Sequence, residues 1–410
     1  MRDMNTHILQ GCGASKTAPF FRGLLRSAIV LAVAVCIAMG LFVSPASAGH
    51  RSLWVVRDAL VSAASIDSMV VLADSLGFDM IFVQVRGRGD AWYKGGLEPG
   101  PDKYPYIPEE FDPLAYVIRK AHERGIAVHA WMNMYLTWTA PEPPRSPLHP
   151  VNRHPSWFMV SRSGVNTGTC PLRDFAGETV EGRYLSPGSE SVRVHLLRIA
   201  TAIVTNYDVD GLHLDYVRYP GRDYDFHPYI RRKFALAYGR DPLDVVSAAP
   251  GEDPSLRLLE RWIEFRTSLI DRQVRSIAER VREIDSNVLV SAAVKPHIDE
   301  ALYQYGQNWG QWLKDGVMDF VAPMSYYEDT ETFTRILDRA LERVDPAKVM
   351  PGIGAYRLTP TVVRSQIEAA GSRGTMGFAL FSYDTLSGDA AYATRLAEII
   401  HDEGVKTGGE

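Results

Sequence analysis

The stretch Asp210-Gly-Leu-His-Leu-Asp-Tyr-Val-Arg-Tyr-Pro220 holds a short apolar run that ends in charged and aromatic residues. Residues 211–215 have the length of a buried strand, and the segments at 190–206 and 258–284 have the 3.6-residue period of amphipathic helices. A strand between two such helices is the repeating unit of a parallel sheet. The stretch therefore predicts an α/β fold, whose architecture depends on how many of these units the chain contains.

The same strand and helix unit recurs along the chain. Apolar runs predict eight strands, at 53–57, 80–85, 126–131, 211–215, 288–294, 320–324, 349–353 and 377–381. Amphipathic segments predict helices at 66–76, 113–124, 190–206, 258–284, 309–315, 332–343, 361–370 and 390–401. Eight such pairs in one chain predict a single (β/α)8 barrel, the TIM-barrel fold.

Three of the predicted connections are long. They follow the second, third and fourth strands, at 86–111, at 133–189 and from residue 216 into the 250s. In TIM barrels the loops at the carboxyl ends of the strands build the active site, and loops of this length are usually functional. We therefore expect the functional site at this end of the barrel.

The N-terminal segment has the organisation of a secretory signal. Arg22 and Arg26 precede an apolar run at 28–43, and Ala46-Ser47-Ala48 offers a small-residue cleavage site. The run is about 16 residues long, whereas a membrane-spanning helix needs roughly 20. We expect an N-terminal extension and cleavable signal peptide at 1–48, the barrel domain at 49–402 and a disordered tail at 403–410. The product is then secreted, periplasmic or in the cell envelope, with no stable membrane span after cleavage.

Composition and charge exclude several classes of protein. The formal net charge is −5, so the basic surface that nucleic acids require is not expected. Of the three cysteines, Cys12 and Cys36 fall in the predicted signal segment, which leaves Cys170 without a partner for a disulfide. The histidines have no metal-ligand spacing and no phosphate-binding glycine loop opens a helix, so neither metal nor cofactor is expected.

The fourth predicted strand supplies the first candidate catalytic residue. Side chains alternate along a strand, so Leu212 and Leu214 face the helices while His213 and Asp215 point into the barrel. Asp215 then lies at the mouth, with His213 one layer below and Arg218 where the loop begins. Such a carboxylate is costly unless it is paired or used. It either takes part in chemistry or ties down the loop through Arg218.

Glycoside hydrolysis generally needs two carboxylates, and the sequence leaves the second one open. Asp329 and Glu328, after the sixth predicted strand, are the preferred catalytic partners of Asp215. Acidic residues in other loops remain as alternatives; these are Asp90, Asp384 and Glu98. Residues expected to bind substrate at the strand ends are Arg86, Asp90, Trp92, Trp131, Asn133, His213, Arg218, Tyr326 and Asp384. Flat aromatic faces with polar rims suit sugar rings.

Five motifs in order give the chain a family likeness. They are Gln-Val-Arg-Gly-Arg-Gly-Asp-Ala-Trp-Tyr (84–93), Glu-Arg-Gly-Ile-Ala-Val-His-Ala-Trp-Met-Asn (123–133), His-Pro-Ser-Trp (154–157), Tyr-Leu-Ser-Pro-Gly (184–188) and the stretch at 209–220. Together they resemble the bacterial glycosyl hydrolase-like 10 family over roughly residues 50–400. The resemblance implies a barrel glycoside hydrolase of the cell envelope or extracellular space. It matches Asp215 to the family's catalytic acidic residue, either nucleophile or acid, while Tyr216 stands where some members have a second Asp.

A more distant similarity is to chitinase-type barrels, whose fourth strand carries an Asp-Gly-x-Asp-x-Asp-x-Glu run. Aligned at Asp210, this chain keeps Asp215 but has His213 and Val217 where that run has its middle Asp and its Glu. The usual substrate-assisted chemistry of that group is therefore not expected. Tyr326 still resembles a tyrosine that steadies substrate there.

The sequence thus predicts a glycoside hydrolase that cleaves glycosidic bonds in a bacterial polysaccharide, either cell-wall glycan strands or an exopolysaccharide. A glycan lyase or transglycosylase using the same cleft is one alternative. A non-catalytic glycan-binding barrel is another, and the lack of a clear second carboxylate favours it.

Overall fold

Eight parallel strands form one sheet in the computed structural model, which describes residues 49–177, 180–246 and 253–401. The strands are β1 (His50–Val55), β2 (Met80–Arg86), β3 (Ala127–Asn133), β6 (Gly211–Asp215), β7 (Leu289–Val294), β8 (Phe320–Pro323), β9 (Gly352–Ile353) and β10 (Gly377–Phe381). Their order is β8-β7-β6-β3-β2-β1-β10-β9. Two isolated parallel bridges, Val321 to Val349 and Met324 to Gly352, join the two ends of the sheet into a nearly closed barrel.

Helices separate the strands. They are α1 (Ala63–Ser75), α2 (Pro113–His122), α3 (Pro150–Arg153), α4 (Glu190–Asn206), α5 (Pro228–Tyr238), α6 (Pro242–Val246), α7 (Asp253–Ile284), α8 (Ile298–Tyr305), α9 (Trp309–Lys314), α10 (Thr330–Leu341), α11 (Pro360–Gly371), α12 (Tyr383–Gly388) and α13 (Ala390–His401). Within the described ranges, none of these helices combines the length and the apolar character that a membrane span requires.

The predicted TIM barrel is confirmed, and most strands lie where the apolar runs placed them. The fourth predicted strand, 211–215, coincides with β6. The seventh, predicted at 349–353, is only Gly352–Ile353, because Pro351 lacks the N–H that a strand interior donates. The predicted signal peptide at 1–48 and the predicted tail at 403–410 lie outside the described residues.

Alternation along the strands divides the core into two layers. Leu53 and Val55 of β1 belong to the large apolar cluster that packs strands against helices, whereas Trp54 belongs to a smaller cluster inside the barrel. Phe82 and Trp131 extend that inner cluster from β2 and β3. Full burial of each large apolar side chain contributes about 1.5–3 kcal/mol. These side chains fill the barrel interior below the carboxyl ends of the strands.

The first residues of the β6 stretch fix the position of this strand. The Asp210 carboxylate accepts hydrogen bonds from the Val128 amide (2.7 Å) and from His122 (2.8 Å), which ties β6 to β3 and α2. A Cβ on Gly211 would lie 2.2 Å from Nδ1 of the buried His129. Only glycine leaves room for that ring, so Asp210 and Gly211 set how β6 sits against its neighbour.

Short structures of their own organise the long loops. The loop between β3 and α4 contains an antiparallel pair, β4 (Leu136–Trp138) and β5 (Arg183–Tyr184). The loop after β6 leads into α5, which packs with α7 in a separate apolar cluster around Phe234 and Trp262. These loops therefore hold side chains at the mouth in defined positions.

Candidate active site

A cavity of about 280 Å³ opens among the carboxyl ends of the strands. Its aromatic and apolar lining is Trp54, Val56, Trp131, Leu136, Tyr216, Ala293, Met324, Tyr326 and Phe381. Its other lining residues are Arg57, Gln84, Gly87, Arg88, Asn133, Thr139 and Asp215. We call this cavity the mouth pocket. The volume is close to the lower end of the roughly 300–1,000 Å³ of small-molecule sites, and aromatic walls with a few polar groups suit a sugar.

Asp215, the last residue of β6, is the carboxylate that lines the mouth pocket within the described part of the chain. Its Oδ1 accepts hydrogen bonds from the Tyr216 amide at 2.5 Å and from Arg218 Nη1 at 3.4 Å. Burial raises the pKa of Asp215, and the positive charge of Arg218 opposes this only in part. The carboxyl group therefore keeps its proton to a higher pH than an exposed aspartate does.

Arg218 joins Asp215 to a second carboxylate that the sequence analysis missed. Arg218 Nη2 lies 3.7 Å from Glu181 Oε1, and the guanidinium packs 4.2 Å above the centre of the Tyr216 ring. The Tyr184 hydroxyl donates a hydrogen bond to Glu181. Glu181 stands in a loop without periodicity, so no pattern selected it. The available signal was its position three residues before the Tyr-Leu-Ser-Pro-Gly motif.

Four predicted site residues meet at the mouth pocket: Asp215, Trp131, Asn133 and Tyr326. Arg218 is buried beside them and holds Asp215.

The two preferred catalytic partners do not reach the pocket. Asp329 and Glu328 are both exposed, and neither is among the lining residues. Asp329 is the N-cap of α10, where its Oδ1 accepts a hydrogen bond from the Thr332 amide at 2.7 Å. The chain leaves the mouth after Tyr326 to begin this helix, and an aspartate at that point is a common helix cap.

Arg86 was expected to bind substrate, but it is buried beneath the loop. The pairing of β2 with β3 shifts register between Gln84 and Arg86, so the two side chains do not continue on one face. Arg86 instead forms two hydrogen bonds of 2.7 Å with Glu98, which His195 also contacts at 3.0 Å. Burial alone would raise the pKa of Glu98, yet Arg86 and His195 hold it at about 2. Glu98 is therefore an ionised structural group.

The remaining predicted contacts serve other purposes in this structure. Asp90 accepts hydrogen bonds from the Gly87 and Arg88 amides and from the Trp92 indole, which folds the start of the β2 loop. Its carboxylate and the Trp92 ring lie outside the mouth pocket.

His213 and Asp384 also lie outside the pocket lining. Both ring nitrogens of the fully buried His213 have partners, the Trp54 indole at 3.3 Å and the Ser291 hydroxyl at 2.9 Å. Burial lowers the pKa of His213 well below its ordinary value, so it is a neutral part of the barrel interior. Asp384 is exposed in the first turn of α12.

No group of three or more His, Cys, Asp or Glu side chains with the geometry of a metal site occurs in the ranges that the structure describes. Cys170 is a free thiol. Cys170 does not line the mouth pocket.

A (β/α)8 barrel with a buried carboxyl group and aromatic walls at its mouth is an arrangement expected of a barrel glycoside hydrolase. The chain belongs to the glycosyl hydrolase-like 10 family, whose model matches residues 51–358.

Known relatives agree with this assignment. The chain is 29% identical over 311 residues to the glycosyl hydrolase DigH of Escherichia coli K12, covering 71% of this chain and 64% of that protein. It is 22% identical over 283 residues to the glycosyl hydrolase YngK of Bacillus subtilis, covering 62% of this chain and 46% of that protein. The matched regions thus span between about half and about two thirds of the length of these two relatives.

Solved structures share the fold. The PgaB (BpsB) glycoside hydrolase domain from Bordetella bronchiseptica is similar with a TM-score of 0.65 at 16% identity, over 86% of this chain and 99% of that domain. The catalytic domain of β-amylase from Paenibacillus polymyxa has a TM-score of 0.55 at 13% identity, over 87% of this chain and 98% of that one.

Proposed function

We propose that this protein hydrolyses glycosidic bonds in a bacterial polysaccharide, with Asp215 as its general acid. The observation that carries the proposal is the buried Asp215 carboxyl group, with its raised pKa, in a pocket walled by aromatic rings. A glycosidase needs one carboxyl group that is protonated when the substrate binds, and burial is the usual way to obtain it.

In the proposed reaction Asp215 donates its proton to the oxygen of the leaving sugar. Because the Tyr216 amide and Arg218 both contact Oδ1, we assign the proton to Oδ2, and the Trp131 indole also stabilises the ionised form of this carboxyl group. Once the proton has left, the same two donors stabilise the carboxylate, because hydrogen bonds to an ionised group are the stronger ones.

For the second carboxylate we propose Glu181 in place of Asp329 and Glu328. Asp215 and Glu181 contact the same Arg218 guanidinium, at 3.4 and 3.7 Å. Two oxygens on one guanidinium are less than about 10 Å apart, which is compatible with the roughly 5–9.5 Å of glycosidase pairs. Glu181 would act as the nucleophile or as the base that activates water. Its side chain is 41% exposed, so water can reach it.

The walls of the pocket would orient the sugar. Trp54, Trp131, Tyr326 and Phe381 offer ring faces and edges. Asn133 is buried at the end of β3 and contributes an amide to the lining. Rigid aromatic side chains place a ring at low cost in conformational entropy, because each has only two rotatable bonds.

We further propose that the protein acts outside the cytoplasm, on cell-wall glycan strands or an exopolysaccharide. The predicted signal sequence at 22–48 supports export. Similarity to two glycosyl hydrolases and to a glycoside hydrolase domain supports a glycan substrate.

The test is release of new reducing ends from purified envelope glycans, including peptide-free peptidoglycan strands, by the wild-type protein and by Asp215→Asn. Asp329→Asn is the matched control, because it makes the same change at an exposed helix cap. Release that is lost only in Asp215→Asn, with the fold checked by circular dichroism, supports the proposal. Equal release by all three proteins contradicts it.

One observation favours a second function, glycan binding without cleavage. Asp215 is the lone carboxylate in the lining of the mouth pocket among the residues described, and Oδ1 is already bound by Arg218 and the Tyr216 amide. A binding barrel would hold oligosaccharide with no turnover, and Asp215→Asn would leave its affinity unchanged. Unsaturated or anhydro products would indicate a lyase or transglycosylase instead.

A further inference from the structure

Two arginines line the mouth pocket, and the hydrolysis of a neutral sugar requires neither of them. Arg57 comes from the single turn that follows β1, and Arg88 from the start of the loop after β2. Both side chains are partly buried. Arg88 forms neither an ion pair nor a side-chain hydrogen bond with any residue that the structure describes, and Arg57 has no carboxylate partner there. These charges therefore face the pocket without being neutralised by a direct contact.

The protein holds Arg57 in place with neutral groups. Arg57 Nη1 donates a hydrogen bond to the Gln84 side-chain oxygen at 2.5 Å, and Gln84 contacts Asn133 at 3.4 Å. Asn133 in turn donates to the Gly87 carbonyl at 2.8 Å. This network of neutral groups orients the Arg57 guanidinium without neutralising its positive charge.

Gly87 provides the space that this arrangement needs. A Cβ at position 87 would lie 2.6 Å from Nη1 and 2.7 Å from Cδ of Arg57, so any larger residue would displace the arginine. The next residue is Arg88, whose pKa is lowered by burial and by the nearby positive charge of Arg57. Holding two like charges close together is unfavourable unless an anion binds between them.

The surrounding carboxylates indicate how much negative charge the subsite would accept. Asp58 lies near both arginines but is bound by Lys103 at 3.1 Å and by the Tyr104 hydroxyl at 2.9 Å. Asp90 lies near Arg88, and its Oδ1 accepts from two backbone amides. Arg57 and Arg88 contribute two positive charges, and Asp90, which has no ion-pair partner among the described residues, contributes one negative charge. The net charge of about +1 matches a monoanion better than a doubly charged phosphate.

We propose that Arg57 and Arg88 form a subsite for a carboxylate carried by the sugar that occupies the mouth pocket. The inference rests on the proposed function of this pocket and names its substrate class, an acidic glycan. Arginine binds carboxylates through paired N–H groups, and such charge-assisted bonds are stronger than neutral ones. Two sugars carry such a group: muramic acid has a carboxylate on its lactyl ether substituent, and a uronic acid has a carboxylate at C6.

The experiment measures binding by isothermal titration calorimetry to the full-length Asp215→Asn protein, so that the readout does not depend on turnover. One pair of ligands is an oligosaccharide of peptide-free peptidoglycan and the same oligosaccharide with its carboxyl groups reduced to alcohols. The second pair is an oligouronate and its carboxyl-reduced form. Arg88→Gln is added to the Asp215→Asn background. The matched control is Arg232→Gln, an exposed arginine of α5.

We expect carboxyl reduction to weaken binding about tenfold to hundredfold in at least one pair, and the pair affected identifies the source of the carboxylate. Arg88→Gln should remove that preference and Arg232→Gln should keep it. Equal affinity for both members of each pair, or no binding of either acidic glycan, overturns the subsite. Cleavage of a neutral glycan by the wild-type protein, with no preference for acidic ones, would overturn the subsite and leave the glycosidase proposal intact.

Discussion

Asp215 Oδ1 lies 3.4 Å from Arg218 Nη1, and both side chains are at most 7% exposed. The arginine lowers the pKa of Asp215, yet burial has the larger effect and the net shift is upward. The pair therefore sets a proton affinity between that of an exposed carboxylate and that of an isolated buried one. A general acid must hold its proton at the working pH, and a raised pKa favours this.

The pH dependence of catalysis follows from this pair. Because the acid acts in its protonated form, kcat/KM should fall as the pH rises through the raised pKa of Asp215. Arg218→Gln removes the charge that favours the ionised form, so the pKa rises further and the fall should move to higher pH. Profiles of kcat/KM against pH for the wild type, Arg218→Gln and the surface variant Arg232→Gln test this. An alkaline limb that stays in place or moves down in Arg218→Gln would contradict the assignment of Asp215 as the acid.

Glu181→Gln tests the second carboxylate. The change keeps the size of the side chain and its contact with the Tyr184 hydroxyl but removes its charge. We expect kcat to fall by at least about a hundredfold, since acid-base groups contribute about 10²–10⁴-fold. The comparison is Glu190→Gln, at an exposed glutamate paired with Arg193. Equal rates for the two variants would show that another group, or water alone, takes the role given to Glu181.

Arg86 is expected to matter for stability more than for substrate contact. Arg86→Met leaves the buried Glu98 without its bidentate partner, and breaking such a pair costs about 3–5 kcal/mol. Replacing both residues, by Arg86→Met with Glu98→Leu, should cost less than the sum of the two single changes. Urea unfolding gives these values, and Arg193→Met, at a surface pair whose Glu190 is exposed, should cost less than about 1 kcal/mol. A small stability change in Arg86→Met with a large rise in KM would instead return Arg86 to the substrate site.

Acid should destabilise the fold partly through Glu98. Its pKa is about 2 in the folded protein and 4.5 ordinarily, so the unfolded chain binds more protons between these values. The stabilisation is therefore present above about pH 4.5 and is lost as the pH falls from there towards 2. Urea midpoints at pH 5.5, 4 and 3 should fall more steeply for the wild type than for the double variant at positions 86 and 98. Parallel curves would show that other carboxylates account for the acid sensitivity.

The barrel was predictable because its signal is repeated. Each βα unit carries the same contrast between a short apolar run and a helical period, so eight weak indications agree on one fold. Alternation along β6 and β3 turns Asp215, Trp131 and Asn133 into the barrel, and all three line the mouth pocket, since both strands are regular up to their last residue. Their roles in catalysis and substrate binding stay predictions.

The positions of the other site residues depend on a strand register shift, on where a helix begins and on irregular loops. The register shift after Gln84 turns Arg86 away from the pocket, and nothing in the order of residues reveals that shift. Asp329 resembles a catalytic aspartate as much as a helix cap until the start of α10 is known. Arg57, Arg88 and Glu181 come from connections, where no period relates position in the chain to position in space.

The β6 stretch contains residues that position the strand and residues that form the candidate site. Asp210 and Gly211 hold the strand against its neighbour, through the bonds to Val128 and His122 and through the space left for His129. Asp215 and Arg218, five and eight positions after Asp210, form the contact that in the proposed reaction holds and tunes the catalytic proton. A protein that retained the Asp-Gly pair but had lost Asp215 would keep these contacts of β6 and lack the proposed general acid. The start of this motif therefore determines how the strand packs, and its end determines whether the candidate site has its carboxyl group. The two properties can be lost independently.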